Sequence, residues 1–236
     1  MSPANGERAL QAVIFDFDGV IANSEPLHLQ GFQDVLAEDG LRLGAEDYYT
    51  RYLGFDDAGV FEHVSRDQAL ALDGAAVLAL VARKEARMQA LLGGDTVLFT
   101  GAADFIRRCA AAVPVAIASG AARHEIMEIL SGAGLGDTFR VIVAAGDTPE
   151  GKPSPQPYRL AFERLQEVHG VGIEARRCVA IEDSHWGLTS ARGAGLRCVG
   201  VTTSYGAEDL PDADLIVGGL ESLTLNMLNE LATSTS

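Results

Sequence analysis

The sequence predicts an α/β protein with a doubly wound parallel sheet, and three observations support this prediction. The segment from Ala12 to Val20 begins as a short run of branched and aromatic residues, which is typical of a strand buried in a parallel sheet. From about residue 101 onward, strand and helix patterns alternate. Between these parts, residues 22–92 show helical apolar spacing, which predicts a small all-helical domain inserted after the first strand.

The helical insertion contains two well-defined patterns. Apolar residues between Leu27 and Leu36 recur at helical spacing, and Gly40 ends this first helix. A longer helix is predicted over 75–92, and Gly93-Gly94 then breaks it and forms a candidate hinge. We therefore predict a helical domain over 22–92 and an α/β core domain formed by 1–21 and 93–236.

The alternating part of the chain predicts five further strands and the helices that connect them. The strands are expected at 113–118, 140–145, 178–182, 197–201 and 214–217. The helices are expected at 101–112, 122–133, 155–169, 184–194 and 220–231. Open parallel sheets bind ligands at the carboxyl ends of their strands, so residues directly after each strand are candidates for function.

The composition limits the classes of partner. Of the 236 residues, 47% are hydrophobic, which is enough to form a sizeable core. The formal net charge of −15 argues against a nucleic-acid partner, because binding to a phosphate backbone needs a basic surface. The sequence has no apolar, uncharged run of about 18 residues that would suggest a membrane span.

Two further features indicate a cytoplasmic protein. Residues 1–8 lack the basic start and the apolar stretch of a signal peptide. Cys109, Cys178 and Cys198 lie in apolar surroundings without metal-like spacing. We expect them to be small core residues of a protein in a reducing compartment.

Acidic side chains follow the first predicted strand. Asp16 and Asp18 are two residues apart, so they would leave an extended chain on the same side. Two close carboxylates repel each other, and a divalent cation would compensate for their charge. The alternative is a strand followed by an acidic turn without a chemical role.

Three other strand ends or turns carry polar groups. Ser119-Gly120 offers a hydroxyl and a bare backbone suited to an anion, and Glu182-Asp183-Ser184 contains a second acidic pair. Gly151-Lys152-Pro153 places a lysine in a turn. Taken singly, the acidic triplet could be a helix N-cap and the lysine a solvated surface residue. Four such elements in this order are hard to assign to chance.

These four motifs resemble those of the haloacid dehalogenase-like hydrolases. The residues that match are the DFDGV segment at 16–20, Ser119, Lys152 and Glu182-Asp183, and the likeness extends from about Gln11 to Leu231. The sequence is most similar to the phosphatase and β-phosphoglucomutase subgroup. The resemblance implies a Rossmann-like core and identifies the helical domain as a cap that closes over the active site.

The resemblance also implies chemical roles for both aspartates of the first motif. Asp16 is expected to be the nucleophile that forms an aspartyl-phosphate. Asp18 is expected to act as general acid toward the leaving oxygen and then as general base toward water. Because dehalogenases need no acid for their leaving group and usually lack the second aspartate, Asp18 argues against carbon–halogen cleavage.

Mg²⁺ is the cofactor that the resemblance implies, and hard oxygen ligands suit this ion. The expected ligands are Asp16, the backbone carbonyl of Asp18, Asp183, and Glu182, whose direct coordination the sequence leaves open. Ser119, the Gly120 amide and Lys152 are expected to bind the phosphate group.

Three more residues are candidates for substrate contact. His28 and Lys84 lie where β-phosphoglucomutases carry a histidine and a substrate-binding lysine, and Arg123 is a candidate anion contact. Each could instead be an ordinary charged or polar residue on a helix surface. Mutases also carry an arginine near Gly54-Phe55-Asp56-Asp57, where this chain has aspartates that would repel a second phosphate.

Together, these observations predict a Mg²⁺-dependent phosphatase that acts on small organic phosphates such as sugar phosphates. The alternatives are a β-phosphoglucomutase-like phosphosugar mutase and a non-catalytic binding protein of the same fold. The expected partner is a small-molecule phosphate rather than nucleic acid or a membrane. The sequence leaves the oligomeric state open.

Overall fold

The structure, a computed structural model, describes residues 10–52, 55–92, 97–170 and 172–234. The chain divides into two compact units, one formed by Met1–Asn23 with Thr96–Ser236 and the other by Ser24–Asp95. Gly93-Gly94, the candidate hinge, and Gly54 lie outside the described residues.

The second unit is helical in its described residues. Its helices are α1 (Glu25–Glu38), the short α2 (Ala45–Asp47), which continues into a π-helical turn (Tyr48–Tyr52), α3 (Asp57–Asp67) and α4 (Gly74–Leu92). Helix α4 packs against α1 and α3. Phe32 and Phe61 meet edge to face at the centre of this helical core, with 5.2 Å between ring centroids.

The first unit contains a parallel sheet of six strands. The strands are β1 (Ala12–Phe15), β2 (Val115–Ala118), β3 (Val141–Val143), β4 (Cys178–Glu182), β5 (Arg197–Val201) and β6 (Leu215–Val217). They lie in the order β3-β2-β1-β4-β5-β6, and each neighbouring pair is parallel. The predicted doubly wound parallel sheet is therefore confirmed.

The first unit also contains helices that lie between or after these strands, and most of them contact the sheet. They are α5 (Ala102–Ala112), α6 (Arg123–Gly132), α7 (Gln156–His169), α8 (His185–Gly193) and α9 (Leu225–Thr233). Strands β1, β2 and β4 are buried along their whole length, as expected for central strands of a parallel sheet. Within the described ranges, the helices lack the length or the apolar character needed to cross a bilayer.

The point at which the strand order reverses lies between β1 and β4. Phe15 and Ile181 are partners in the register of these strands, so the next residues, Asp16 and Glu182, lie side by side at the ends of the two strands. The Asp16 N–H continues the pairing and donates to the Ile181 carbonyl at 2.9 Å. Open α/β sheets bind their ligands at such a switch point.

Local hydrogen bonds explain two of the element boundaries. Strand β1 ends at Phe15 because the Phe17 carbonyl accepts the N–H groups of Ile21 and Ala22, at 2.8 and 2.9 Å, which turns the chain. The helix predicted over 220–231 is divided into a 3₁₀ turn (Leu220–Ser222) and α9. The division occurs because Thr224 caps α9 by accepting the Met227 N–H at 3.3 Å.

Candidate active site

Lys152 links the ends of β1 and β4. This residue lies in the loop between β3 and α7, and its Nζ is 2.7 Å from Asp16 Oδ1 and 2.5 Å from Glu182 Oε1. Asp16 is 8% exposed and Glu182 is completely buried. Three of the four motifs found in the sequence therefore meet at one place, where two carboxylates share the ammonium group of Lys152, whose side chain is 13% exposed.

The Glu182 carboxylate accepts hydrogen bonds on both oxygens. Oε1 accepts from Lys152 and from the buried Tyr158 hydroxyl, the latter at 2.9 Å. Oε2 accepts from the Ser184 hydroxyl at 3.0 Å and from the N–H groups of Asp183 and Ser184 at 3.2 and 3.3 Å. A Cβ on Gly187 would lie 1.9 Å from Oε1, so the carboxylate packs directly against bare backbone. Glu182 is thereby fixed in one orientation.

Asp183 lies against the turn that follows β1. The Ser204 hydroxyl donates to Asp183 Oδ2. A Cβ on Gly19 would lie only 1.8 Å from this same oxygen, and the φ of Gly19 is +74°, so both space and backbone conformation require glycine. The Thr203 hydroxyl donates to the Gly19 carbonyl. Residues that follow three different strands thus meet at this point.

The acidic residues form a group that can hold a cation. Asp16, Glu182 and Asp183 each place one carboxylate oxygen within 4.8 Å of the others, and all three side chains are buried. Lys152 alone cannot balance three ionised carboxylates. The ligands are hard oxygens and the excess charge is negative, so the residues present fit the predicted Mg²⁺.

Burial and mutual repulsion govern protonation in this group. Burial, followed by the Glu182 carboxylate, raises the pKa of Asp16 well above its usual range, although Lys152 opposes the shift. The same two causes raise the pKa of Asp183 to about 7. Burial disfavours the charged form of Lys152, but Asp16 and Glu182 outweigh it and raise its pKa. A bound divalent cation would lower the pKa of both aspartates because it stabilises their ionised forms.

Ser119 and Gly120 follow β2. The Ser119 N–H donates to the Val143 carbonyl at 2.9 Å, and its hydroxyl oxygen accepts from the Ala121 N–H at 3.0 Å. The hydroxyl proton is then the group that Ser119 can offer to a ligand. A Cβ on Gly120 would meet no atom within 4 Å, so there is room for a ligand oxygen beside this backbone.

Comparison with known proteins identifies the family. A model of the haloacid dehalogenase-like hydrolases matches residues 10–195. The chain belongs to this family. The predicted resemblance is confirmed, and with it the assignment of the chain as an enzyme.

Similar proteins cover nearly the whole chain. The protein CbbY of Rhodobacter capsulatus is 30% identical over 233 residues, which are 94% of this chain and 99% of that protein. Hexitol phosphatase B of Escherichia coli K12 is 28% identical, with coverage of 92% and 96%. A CbbY variant from Rhodobacter sphaeroides, crystallised with xylulose 1,5-bisphosphate, is 27% identical and superimposes with a TM-score of 0.77, with coverage of 91% and 96%.

Arg123 of this haloacid dehalogenase-like protein is engaged in a structural contact. Its guanidinium donates to the Ile142 carbonyl at 2.8 Å and to Asp147 at 2.6 Å. Arg164 contacts the same Asp147 carboxylate at 3.2 Å. These bonds fasten the segment after β3 to α6 and α7. The role of Arg123 as an anion contact stays a prediction.

His28 and Lys84 lie together in the second unit. Lys84 Nζ is 2.8 Å from His28 Nδ1, 2.6 Å from Asp57 Oδ1 and 4.2 Å from the centroid of the Phe32 ring, and the lysine side chain is 1% exposed. Because an ammonium group can only donate, His28 accepts through Nδ1 and is neutral. Burial, followed by the charge of Lys84, lowers the pKa of His28 to about 4.

The two aspartates that replace the arginine expected in mutases have different contacts. Asp56 caps α3 by accepting the Gly59 N–H at 2.8 Å. Asp57 pairs with Lys84 and balances its charge. The sequence singled out both Asp57 and Lys84 but did not connect them, because 27 positions separate the pair along the chain.

The sequence analysis did not identify four polar residues of the site in the first unit. They are Tyr158, Thr203, Ser204, and Ser184 in its role as a hydrogen-bond donor to Glu182. Tyr158 gives no signal, because an aromatic residue at helical spacing is usually part of a core. Thr203 and Ser204 come shortly after a predicted strand end, which is the same signal that singled out Ser119. The signal was therefore present in the sequence for these two residues.

Proposed function

We propose that this enzyme, a phosphoric monoester hydrolase of the haloacid dehalogenase-like family, releases phosphate from small sugar phosphates with the help of Mg²⁺. The observation that carries the proposal is the meeting of Asp16, Lys152 and Asp183 at the carboxyl ends of β1 and β4, around a carboxylate-rich group. The similarity to hexitol phosphatase B and to CbbY with a sugar bisphosphate supports a phosphorylated sugar as the substrate class.

Asp16 acts as the nucleophile in this proposal. Its Oδ1 is held by Lys152, which orients the carboxylate and partly neutralises both it and the incoming phosphate. A carboxylate oxygen forms a bond to phosphorus while the bond from phosphorus to the sugar oxygen breaks. Asp18 gives its proton to the departing oxygen and then takes a proton from the water that hydrolyses the aspartyl-phosphate.

The remaining residues bind the phosphate group and the cation. The Ser119 hydroxyl and the Gly120 amide bind the non-bridging oxygens of the phosphate. Asp16, Asp183 and the Asp18 backbone carbonyl would hold Mg²⁺, which supplies positive charge beside the phosphoryl oxygens when it is bound. Glu182 supports this arrangement by binding Lys152, and both of its oxygens already accept hydrogen bonds from Lys152 and other donors.

Hydrolysis is favoured over the mutase alternative by the charges of the second unit. A mutase must hold a sugar bisphosphate, which requires a cation that is not already neutralised. In this chain Lys84 is buried and paired with Asp57, and His28 is neutral. The cluster of these three residues therefore carries no net positive charge to attract a second phosphate.

Two further expectations belong to the proposal. The second unit acts as the cap that excludes water during phosphoryl transfer, as the family resemblance implies. The enzyme works in the cytoplasm, where its buried cysteines, which form no disulfide, would stay reduced: Cys109, Cys178, Cys198.

A screen of phosphorylated metabolites with released phosphate as the readout tests the proposed function. We expect the wild-type enzyme to release phosphate from sugar monophosphates when Mg²⁺ is present. Asp16→Asn should abolish turnover without unfolding the protein, because it keeps the side-chain volume. Asp104→Asn, at a side chain that is 81% exposed, is the matched control and should keep full activity. Near wild-type turnover by Asp16→Asn would overturn the mechanism.

A further inference from the structure

We propose that Ser204 and Thr203, in the loop after β5, are positioning residues that hold the cation site in its binding geometry. The inference rests on the proposed function, because it concerns the acidic group assigned there to Mg²⁺. Neither hydroxyl belongs to the four motifs from which the site was predicted. The two residues act through Asp183 and the turn at Gly19.

Ser204 controls the orientation of Asp183. Its hydroxyl donates to Asp183 Oδ2, and this oxygen also lies against the bare backbone of Gly19. The carboxylate is therefore held from two sides through a single oxygen. A neutral donor orients a carboxylate without cancelling its charge, whereas a lysine at this position would compete with the cation.

Thr203 fixes the neighbouring turn. Its hydroxyl donates to the Gly19 carbonyl, while the Gly19 N–H donates to the Ala22 carbonyl at 3.0 Å. The peptide groups on both sides of Gly19 are thus held in place. The peptide before Gly19 contains the Asp18 carbonyl, which is a proposed ligand, and Thr203 holds the peptide after Gly19. Thr203 therefore restricts the direction of the Asp18 carbonyl indirectly, by fixing the backbone at Gly19.

A backbone hydrogen bond to β6 anchors the start of this loop. The Thr202 N–H donates to the Val217 carbonyl at 3.0 Å, which ties the start of the loop to β6. Thr203 and Ser204 follow directly and reach the residues after β1 and β4. Without these bonds, the Gly19 carbonyl would lose its hydroxyl donor and Asp183 Oδ2 would lose the Ser204 hydroxyl.

Removal of such supporting hydrogen bonds typically weakens metal affinity by about 10- to 100-fold. We expect Ser204→Ala to raise the dissociation constant for Mg²⁺ within this range, and Thr203→Val to raise it by a smaller factor. Ser204→Thr retains the hydroxyl at an exposed position and should restore affinity. Thr202→Val is the matched control, since its hydroxyl lies 3.5 Å from the Val217 carbonyl oxygen, whereas the hydroxyls of Thr203 and Ser204 donate to Gly19 and Asp183.

The experiment measures Mg²⁺ binding by isothermal titration calorimetry without substrate, together with kcat as a function of Mg²⁺ concentration. If Ser204 positions the site, Ser204→Ala needs more Mg²⁺ but recovers most of its kcat at saturation. An unchanged dissociation constant in Ser204→Ala, with only a lower melting temperature, would show a merely structural role and overturn the inference.

The two proposals can fail separately. Wild-type protein that neither binds Mg²⁺ nor releases phosphate would overturn the proposed function and, with it, this inference. Wild-type protein that does both, beside Ser204→Ala and Thr203→Val variants that bind Mg²⁺ equally well, would overturn only the roles of Ser204 and Thr203. If Ser204→Ala does not fold, Thr203→Val compared with Thr202→Val decides the question.

Discussion

Tyr158 provides a direct test of how the Glu182 carboxylate is held in place. Both side chains are completely buried, and the Tyr158 hydroxyl donates to Glu182 Oε1 at 2.9 Å. Tyr158→Phe removes this donor and leaves the ring in place. A hydrogen bond to a charged group contributes about 1.5–3 kcal/mol to stability. Because Lys152 still contacts the same oxygen, we expect a loss near the lower end of this range.

The loss should be visible in urea and in thermal unfolding. For a chain of this size, 1 kcal/mol shifts the melting temperature by roughly 2–4 °C, so Tyr158→Phe should lower it by roughly 3–6 °C. Tyr49→Phe is the control, because the same atom is removed from a residue that is 44% exposed. If the free energies of unfolding of the two variants agree within about 0.5 kcal/mol, the hydrogen bond does not hold Glu182 as described.

Three further predictions concern protonation, the leaving group and the cation. His28 has a pKa lowered from 6.5 to about 4, so the unfolded state binds more protons between these values. The free energy of unfolding should fall by at most about 3 kcal/mol as the pH drops through this window. Urea unfolding of His28→Gln should not show this part of the pH dependence. Asp18→Asn should slow the hydrolysis of alkyl phosphates far more than that of activated aryl phosphates. Equal losses of rate for both substrates would contradict the role of Asp18 as the general acid. Mg²⁺ should raise the melting temperature of the wild-type protein, chelator should abolish activity, and Asp183→Ala should lose the thermal shift.

The part of the site that the sequence could predict is the part encoded by strand ends. Asp16, Ser119 and Glu182-Asp183 follow short apolar runs, and in a parallel sheet such residues converge at one edge. Their order along the chain identified the family, and the register of β1 with β4 places Asp16 beside Glu182. The polarity and spacing of these residues were sufficient for this part of the prediction.

Residues whose role depends on packing could not be predicted from the sequence. Tyr158 lies at a helical position that predicts only a core residue, and its hydroxyl matters because Glu182 is buried next to it. Likewise, Asp57 neutralises Lys84 only because α3 packs against α4. Boundaries set by local hydrogen bonds, such as the cap at Thr224, are also beyond a reading of apolar periodicity.

The proposed activity is hydrolysis of sugar monophosphates, without transfer of their phosphate within the sugar. The most direct measurement follows β-glucose 1-phosphate with a bisphosphate primer and records phosphate release beside glucose 6-phosphate formation in a coupled dehydrogenase assay. We predict net phosphate release with little isomer formation, because Asp57 balances the charge of Lys84. Isomer formation that exceeds phosphate release by about tenfold, a barrier difference of about 1.4 kcal/mol, would contradict the claim and establish a mutase.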